Sequence, residues 1–209
     1  MSAQPVRRRG RPPASEVNPG QTRERIVRAA MELFAEKGFH ATSVAEIGDR
    51  AGIQRGALYY HIGSKEELLF QIRRGYTQTM FEAAAAIADS ELDPMSKLRN
   101  LIRSHVRLII EHQYEVAIAL RDAGALTAER EADLQQLRDG IQRCWQRVID
   151  EGHAAGVLRT NDHVVGNSLV AMLNMVSRWY RPDGAHTPEQ IADILITTIL
   201  DGVATTRSN

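Results

Sequence analysis

The sequence lacks the residues on which disulfide-bonded, zinc-bound and β-rich proteins depend. Its 209 residues include a single cysteine, Cys144, which excludes an intrachain disulfide and leaves no second cysteine for a zinc cluster. A reducing compartment is the simplest setting for such a chain, and we expect it to be cytoplasmic. Aromatic residues make up only 5% of the chain, while leucine, isoleucine and alanine dominate its apolar set, which favours helices over strands.

Long apolar runs are also missing, and this argues against a membrane protein. No segment reaches the roughly 18 apolar residues that a membrane-spanning helix needs, and the nearest, residues 168–176, is too short. The basic segment from Arg7 to Arg11 continues into two prolines rather than an apolar stretch, so it does not have the form of a signal peptide. With 43% apolar and 25% charged residues, the composition predicts a globular protein with no membrane partner.

The chain has no net charge, but its charges are unevenly distributed. Residues 1–63 contain ten Lys and Arg and six Asp and Glu, a net charge of +4. The remainder therefore carries −4, because the totals of 26 basic and 26 acidic residues cancel. A basic N-terminal part on an acidic body indicates a polyanionic partner at one end, although a basic tail without a partner would give the same charge pattern.

Apolar residues recur at helical spacing over most of the chain, as they do from Ile26 to Phe34. Signals for the start of a helix are found at Thr22, Ser43, Ser64, Asp93, Thr127, Asp162 and Thr187. The pattern predicts an all-α protein of about nine helices, one of them continuous over 162–180, and no strand. We expect a disordered basic arm at 1–21, a small helical domain at 22–67 and a larger helical domain at 68–209. The family resemblance given below implies that 22–67 is a helix-turn-helix domain and that 68–209 is a ligand-binding and dimerisation domain.

Residues 44–61 predict the helix-turn-helix itself. Two helices of about two turns each meet at Gly52, and the second is too short and too polar for a core helix. Its exposed side presents hydrogen-bond donors and aromatic rings, which suit phosphate oxygens and base edges. These side chains are Gln54, Arg55, Tyr59, Tyr60 and His61. A plain helical hairpin with a solvated face is the alternative interpretation of the same pattern.

The residues of this region resemble the DNA-binding signature of the TetR family of bacterial repressors. The resemblance lies in the runs TSVAEIGDRAGI (42–53), GALYYH (56–61) and SKEEL (64–68), and in the preceding helix IVRAAMELFAEKGF (26–39). Ile62 stands where the family usually has Phe, and Gly48 where Ala is commoner, and both look like packing positions. The rest of the chain resembles the family in length and in its all-helical layout, so we expect a TetR-like fold.

The resemblance also implies roles for individual residues. Gln54, Arg55 and Ala57 would face bases, whereas Tyr59, Tyr60 and His61 would contact the sugar-phosphate backbone. Lys65 would meet a phosphate at the N-terminus of the next helix, and Ser43 would serve both as a cap and as a phosphate contact. Arg9 and Arg11 flank a glycine in the arm as in an AT-hook, which suits a narrow minor groove. Non-specific attraction of the arm to phosphate is the alternative.

A single short recognition helix reads too few bases for useful specificity, so we expect a homodimer on a palindromic double-stranded operator. The last two long helices are apolar on more than one face, which indicates an interface beyond the protomer's own core. The family resemblance implies a four-helix dimer bundle there, and a fully buried core helix is the alternative. The predicted interface residues are Leu169, Leu173, Ile191, Ile194, Leu195, Thr198 and Ile199.

The family couples DNA affinity to a small-molecule effector held in the larger domain. The segment Trp179-Tyr180-Arg181-Pro182 resembles a turn of TetR-like repressors of lipid, sterol and aromatic catabolism, several of which answer to acyl-CoA thioesters. Arginines beside an aromatic pair suit phosphate and adenine, and a structural corner is the alternative. The candidate ligand-binding residues are His105, Ile109, Trp145, Met172, Met175, Arg178 and Trp179.

Three functions are alternatives to a DNA-binding repressor that responds to an acyl-CoA. An enzyme is not expected, because the seven histidines are scattered and there is no His-Glu-x-x-His motif, glycine-rich phosphate loop or nucleophile elbow; no metal or cofactor is expected either. A purely structural helical dimer would not need an exposed polar helix next to a basic arm. An efflux regulator that answers to a hydrophobic compound stays open.

Overall fold

The computed structural model describes residues 19–122 and 124–203, and this part of the chain contains ten helices and no sheet. The helices are α1 (Pro19–Lys37), α2 (Val44–Ala51), α3 (Arg55–Ile62), α4 (Lys65–Ala88), α5 (Pro94–Glu111), α6 (Gln113–Arg121), α7 (Ala128–Ala154), α8 (His163–Asn174), α9 (Val176–Trp179) and α10 (Pro188–Val203). None of them is long and apolar enough to cross a membrane.

The N-terminal helices pack as the apolar spacing predicts. Ile26, Ala30 and Phe34 on α1 are fully buried against Ile47 of α2 and Leu58 of α3. Helix α1 begins at Pro19, three residues before the predicted start, so Thr22 is a buried residue inside the helix rather than its cap.

Helix α2 begins and ends at its predicted residues. Ser43 and Glu46 form a complete capping box, in which each side chain accepts a hydrogen bond from the other residue's backbone N–H. Gly52 ends the helix at φ 65°, a left-handed conformation that favours glycine. These local signals fix the two ends of α2, and with them the start of the turn of the helix-turn-helix.

The larger domain is built around α5, which packs against α4, α7, α8 and α10. Asp93 caps α5 and Pro94 occupies its first turn, as predicted. Helices α4 and α7 lie so close together at Gly140 that a Cβ on this residue would come within 2.8 Å of the Phe81 ring. The core of this domain contains Trp145, Ile102 and Ile109, all essentially inaccessible to solvent.

The helix predicted over 162–180 is interrupted. It ends at Asn174, and the single turn α9 follows after Met175. At the break, the Met175 N–H donates to the Met172 carbonyl and the Arg178 N–H to the Met175 carbonyl, so the spacing has tightened to three residues. The Ser177 hydroxyl also donates to the Asn174 carbonyl at 2.8 Å and stabilises the break.

The two domains share one of the two hydrophobic cores. Ile118 of α6 and Leu134 of α7 are fully buried in the same cluster as Phe34 and Leu69. The helix-turn-helix domain therefore rests directly on α6 and α7.

Candidate DNA-binding surface and effector cavity

Helix α3 presents one face to the core and the other to solvent. Leu58 and Ile62 anchor it, with 0% and 4% of their surface exposed. Gln54, Gly56, Ala57 and Tyr59 are exposed on the other face, and Tyr60 is 88% exposed. No protein atom lies within 4 Å of a Cβ built on Gly56, so a DNA backbone can approach this turn closely. The outward face therefore carries the predicted recognition residues.

The other predicted DNA-contacting residues are partly buried, already hydrogen-bonded, or outside the described part of the structure. His61 is half-buried, with its ring edge-on to Tyr60 at 5.4 Å between centroids. The Ser43 hydroxyl donates to the Glu46 carboxylate at 2.8 Å, so a phosphate would have to compete with that carboxylate. Arg55 begins α3, but its side chain lies outside the described part of the structure, as do Arg9 and Arg11.

Lys65 is directed at the protein, which corrects the expected phosphate contact of its side chain. Its Nζ donates to the carbonyls of Phe39 and Thr42, both at 2.8 Å, and lies 4.2 Å from the centre of the Phe39 ring. Partial burial lowers the pKa of its ammonium group. The Lys65 side chain thus holds the turn between α1 and α2, and only its backbone N–H, at the start of α4, remains as a candidate phosphate donor.

Ion pairs neutralise part of the positive charge around this face. Arg50 binds Glu32 and Glu36, and Lys37 binds Glu46, whose pKa is lowered to about 2 by that ammonium group and by Ser43. Arg25 of α1 donates to the Ala51 carbonyl, so its exposed guanidinium sits at the turn of the helix-turn-helix. The sequence analysis missed Arg25, and only the packing of α1 on α2 reveals its position.

A cavity of about 580 Å³ lies between α4, α5, α6, α7 and α8. One part of its wall is apolar, with Met80, Val116, Ile141 and Val170. This size and this apolar lining are typical of small-molecule sites.

The opposite part of the wall is polar. The Arg73 guanidinium, 4% exposed, binds the Glu131 carboxylate through two hydrogen bonds of 2.5 and 3.2 Å. Arg138 lies 3.7 Å from the same carboxylate. Further polar side chains in the wall are Gln135, Asp139, Gln142, Asn167 and Asn174. The cavity therefore suits a molecule with both an apolar body and hydrogen-bonding groups.

His105 is the one predicted ligand residue that lines this cavity. Its Nε2 lies 2.9 Å from Asn174 Oδ1, and its ring meets Trp145 edge-on. Complete burial lowers the pKa of His105 to about 4, so the imidazole is neutral at pH 7.

The other six predicted ligand residues lie outside the cavity wall, which corrects their expected grouping. Ile109 and Trp145 are buried in the core behind it. Met172, Met175, Arg178 and Trp179 are exposed on α8, on α9 and at the break between them.

The predicted dimer residues divide into two groups. Four of them are at most 6% exposed in the protomer and belong to its own core, which corrects their assignment to the interface: Leu169, Leu173, Ile191 and Ile199. Ile194 is 51% exposed, Thr198 is exposed and Leu195 is half-buried. Val164 and Met172 add exposed apolar surface on α8, and sequence analysis missed the first of these as an interface candidate.

A helix-turn-helix with an outward recognition face, resting on a larger helical domain, defines a class of DNA-binding regulator. The chain matches the family model "Bacterial regulatory proteins, tetR family" over residues 26–72 and the model "Tetracyclin repressor-like, C-terminal domain" over residues 91–203. The protein belongs to the TetR family and is a TetR-like transcriptional repressor.

Its relatives span nearly the whole chain. It is 32% identical over 193 residues to the HTH-type transcriptional repressor KstR2 of Mycobacterium tuberculosis H37Rv, covering 91% of this chain and 96% of the relative. KstR2 of Rhodococcus jostii RHA1 is 32% identical over 198 residues, covering 92% and 97%.

Solved structures agree with this assignment. A structure described as the ketosteroid transcriptional regulator KstR2 of M. tuberculosis superposes with a TM-score of 0.82 at 30% identity, covering 92% of this chain and 98% of the other. AibR, solved in complex with isovaleryl coenzyme A and operator DNA, superposes with a TM-score of 0.75 at 26% identity, covering 85% and 97%.

Proposed function

We propose that the protein represses transcription as a homodimer that binds a palindromic operator through α3 and is released by a CoA thioester. The observation that carries the proposal is that the cavity wall includes Val116 and Leu120 of α6, while Ile118 of the same helix is buried in the core of the helix-turn-helix domain. A molecule that alters the position of α6 therefore acts on both domains.

The dimer follows from surface that the protomer leaves uncovered. Ile194 on α10 and Val164 on α8 are each more than half exposed, and Met175 is 50% exposed between α8 and α9. Both helices pack on α5, and a dimer in which they meet their counterparts would cover these side chains. A palindromic operator requires that such a dimer hold its two copies of α3 about one DNA turn, roughly 34 Å, apart.

The effector class follows from the two kinds of surface near the cavity. The apolar part suits an acyl group, and the polar wall with Asn174 and Gln142 suits oxygen atoms on that group. Outside the cavity, Trp179 is 53% exposed next to Arg178, a combination that suits the adenine and phosphates of coenzyme A. AibR, with the same fold, was solved with isovaleryl coenzyme A, which supports the assignment.

The ligand can act only through a difference in its affinity for two poses of the protein. In the pose that fits the operator, α6 and the N-terminal part of α4 hold the helix-turn-helix at groove spacing. A thioester that fits better when α6 has shifted would favour a second pose, in which the two copies of α3 no longer match successive grooves. A tenfold loss of operator affinity needs a difference of about 1.4 kcal/mol between the two poses.

The test begins with DNA selected from a random pool, which supplies the operator. Fluorescence anisotropy then measures operator affinity with isovaleryl-CoA, octanoyl-CoA, the corresponding free acids and free CoA. We expect at least one thioester to weaken operator binding tenfold or more, and the free acids and CoA to have little effect. If only a hydrophobic compound without CoA releases the operator, the thioester assignment is wrong and an efflux regulator is favoured.

A matched pair of variants tests the role of α3. Tyr60→Ala removes the most exposed ring of α3, and we expect operator affinity to fall about tenfold, the loss of one good phosphate hydrogen bond. Tyr114→Ala removes a ring of α6 that is 53% exposed, and should leave operator affinity unchanged. Equal affinities for the two variants would contradict the proposed DNA-binding surface.

A further inference from the structure

A second recess, of about 230 Å³, lies beside the effector cavity. It is lined by α6 and α9, through Gln113, Ala117, Leu120, Arg121, Ser177 and Arg178. Leu120 belongs to the walls of both the recess and the cavity, and Asn174 in the cavity wall accepts a hydrogen bond from Ser177 in the recess wall. The recess and the cavity therefore adjoin at Leu120.

The recess has the chemistry of an anion site. Its lining includes two arginines, Arg121 and Arg178, together with Gln113 and Ser177. Neither arginine forms an ion pair with a carboxylate in the described part of the chain, in contrast to Arg73 and Arg130 of the same domain. Two arginines without a carboxylate partner among the described residues, with the amide of Gln113 nearby, suit phosphate oxygens.

Arg121 has a second role, because it connects the two domains. Its Nη1 donates to the Ala35 carbonyl in the last turn of α1, at 2.8 Å. The next residue, Asp122, accepts the Phe39 N–H with both carboxylate oxygens at 3.2 Å. The end of α6 is thus joined to the segment that immediately precedes α2 of the helix-turn-helix.

We propose that this recess binds phosphate groups of the effector, and that Arg121 transmits their binding to the DNA-binding domain. The inference rests on the proposed function, since it takes the effector to be a CoA thioester whose acyl group fills the cavity. A phosphate offers the guanidinium a full negative charge, whereas the Ala35 carbonyl offers only a dipole, so a bound phosphate draws the Arg121 guanidinium away from Ala35. One of the contacts between α6 and α1 is then lost.

The experiment compares Arg121→Gln with Arg178→Gln, which remove the two charges of the recess one at a time. Calorimetry measures the affinity for octanoyl-CoA, and anisotropy measures operator affinity with and without it. Arg178→Gln should bind octanoyl-CoA at least tenfold more weakly, with unchanged operator affinity when no thioester is present. At saturating octanoyl-CoA it should still lose as much operator affinity as the parent protein.

Arg121→Gln should behave differently, because it also loses the contact with Ala35. We expect its operator affinity without thioester to fall about three- to tenfold, the size expected for one hydrogen bond from a charged donor. Saturating octanoyl-CoA should then cause little further loss. If octanoyl-CoA weakens operator binding by Arg121→Gln as much as by the parent, the proposed transmission through Arg121 is wrong.

Failure of the proposed effector class can be distinguished from failure of the proposed role of Arg121. If no thioester weakens operator binding by the parent protein, the proposed effector class fails, and the phosphate role of the recess fails with it. The role of Arg121 as an interdomain contact is still decided by its operator affinity without thioester, and an affinity equal to that of the parent would overturn it.

Discussion

The buried ion pair in the cavity wall leads to a quantitative prediction about the free energy of unfolding. Arg73 is 4% exposed, and its guanidinium binds the Glu131 carboxylate through two hydrogen bonds, while Arg138 lies 3.7 Å from the same group. Glu131→Gln preserves the size of the side chain but removes its charge. The variant leaves one buried arginine uncompensated and a second arginine close to it.

The size of the expected loss of stability in Glu131→Gln follows from how deeply Arg73 and Glu131 are buried. Removing one partner of a buried pair costs about 3–5 kcal/mol, because the other charge stays desolvated. The Glu131 side chain is 26% exposed, so water reaches the pair from one side and the loss should fall near or below that range, at about 2–3 kcal/mol. For a chain of this length, that corresponds to a fall in Tm of about 4–12 °C.

Urea denaturation measures this loss, and a fixed protomer concentration keeps any contribution of the proposed dimer equal in all variants. Glu36→Gln is the control, because Glu36 pairs with Arg50 on the surface with 55% of its side chain exposed, and it should lose less than about 1 kcal/mol. Combining Arg73→Met with Glu131→Leu should regain most of the loss, since it leaves no buried charge. If Glu131→Gln is as stable as Glu36→Gln, the reasoning about this pair is wrong.

Three further predictions concern pH, association and salt. The pKa of His105 is about 4, against an ordinary 6.5, so between these pH values the unfolded chain takes up a proton that the native chain does not. The free energy of unfolding should therefore fall by up to about 3 kcal/mol as the pH drops from 6.5 to 4. His105→Gln should lose this part of the pH dependence of the urea midpoint, and an unchanged pH dependence would contradict the low pKa. Ile194→Asp should sediment as a monomer while Leu92→Asp, at a site 46% exposed, stays dimeric; a dimeric Ile194→Asp protein would exclude this surface. Deleting residues 1–18, which ends just before α1, should weaken operator binding and flatten its dependence on salt concentration, whereas an equal slope would show that the arm makes no phosphate contacts.

Short-range signals were the most predictable part of the fold. The capping box of Ser43 and Glu46, the glycine at 52 and the Asp93-Pro94 start depend only on residues within one or two turns. The break after Asn174 was missed because the apolar spacing continues across it through Leu173 and Val176, and the side-chain bond from Ser177 is not visible in periodicity.

The sites were harder to predict, because they depend on which face of a helix meets which neighbour. Four of the seven predicted dimer residues, among them Leu173 at 0% exposure, lie on the stripe that faces the protomer's own core. The polar cavity wall was missed because residues such as Arg73 and Glu131 are normally solvated, and only tertiary packing brings this pair together, 58 positions apart in sequence. His105 was found because a histidine on an apolar helix face is conspicuous.

The continuity of α4 restricts how this protein can be recombined with others. The helix runs for 24 residues, about 36 Å, from its cap beside the recognition helix to the far end of the cavity without a flexible joint. A chimera that exchanges the helix-turn-helix domain at residue 67 must keep the rotational phase of α4, because each residue inserted into the helix rotates the part beyond it by about 100°. Grafts that add or remove whole turns should therefore be tolerated better than single-residue insertions, which would point the cavity side chains into the wrong neighbours.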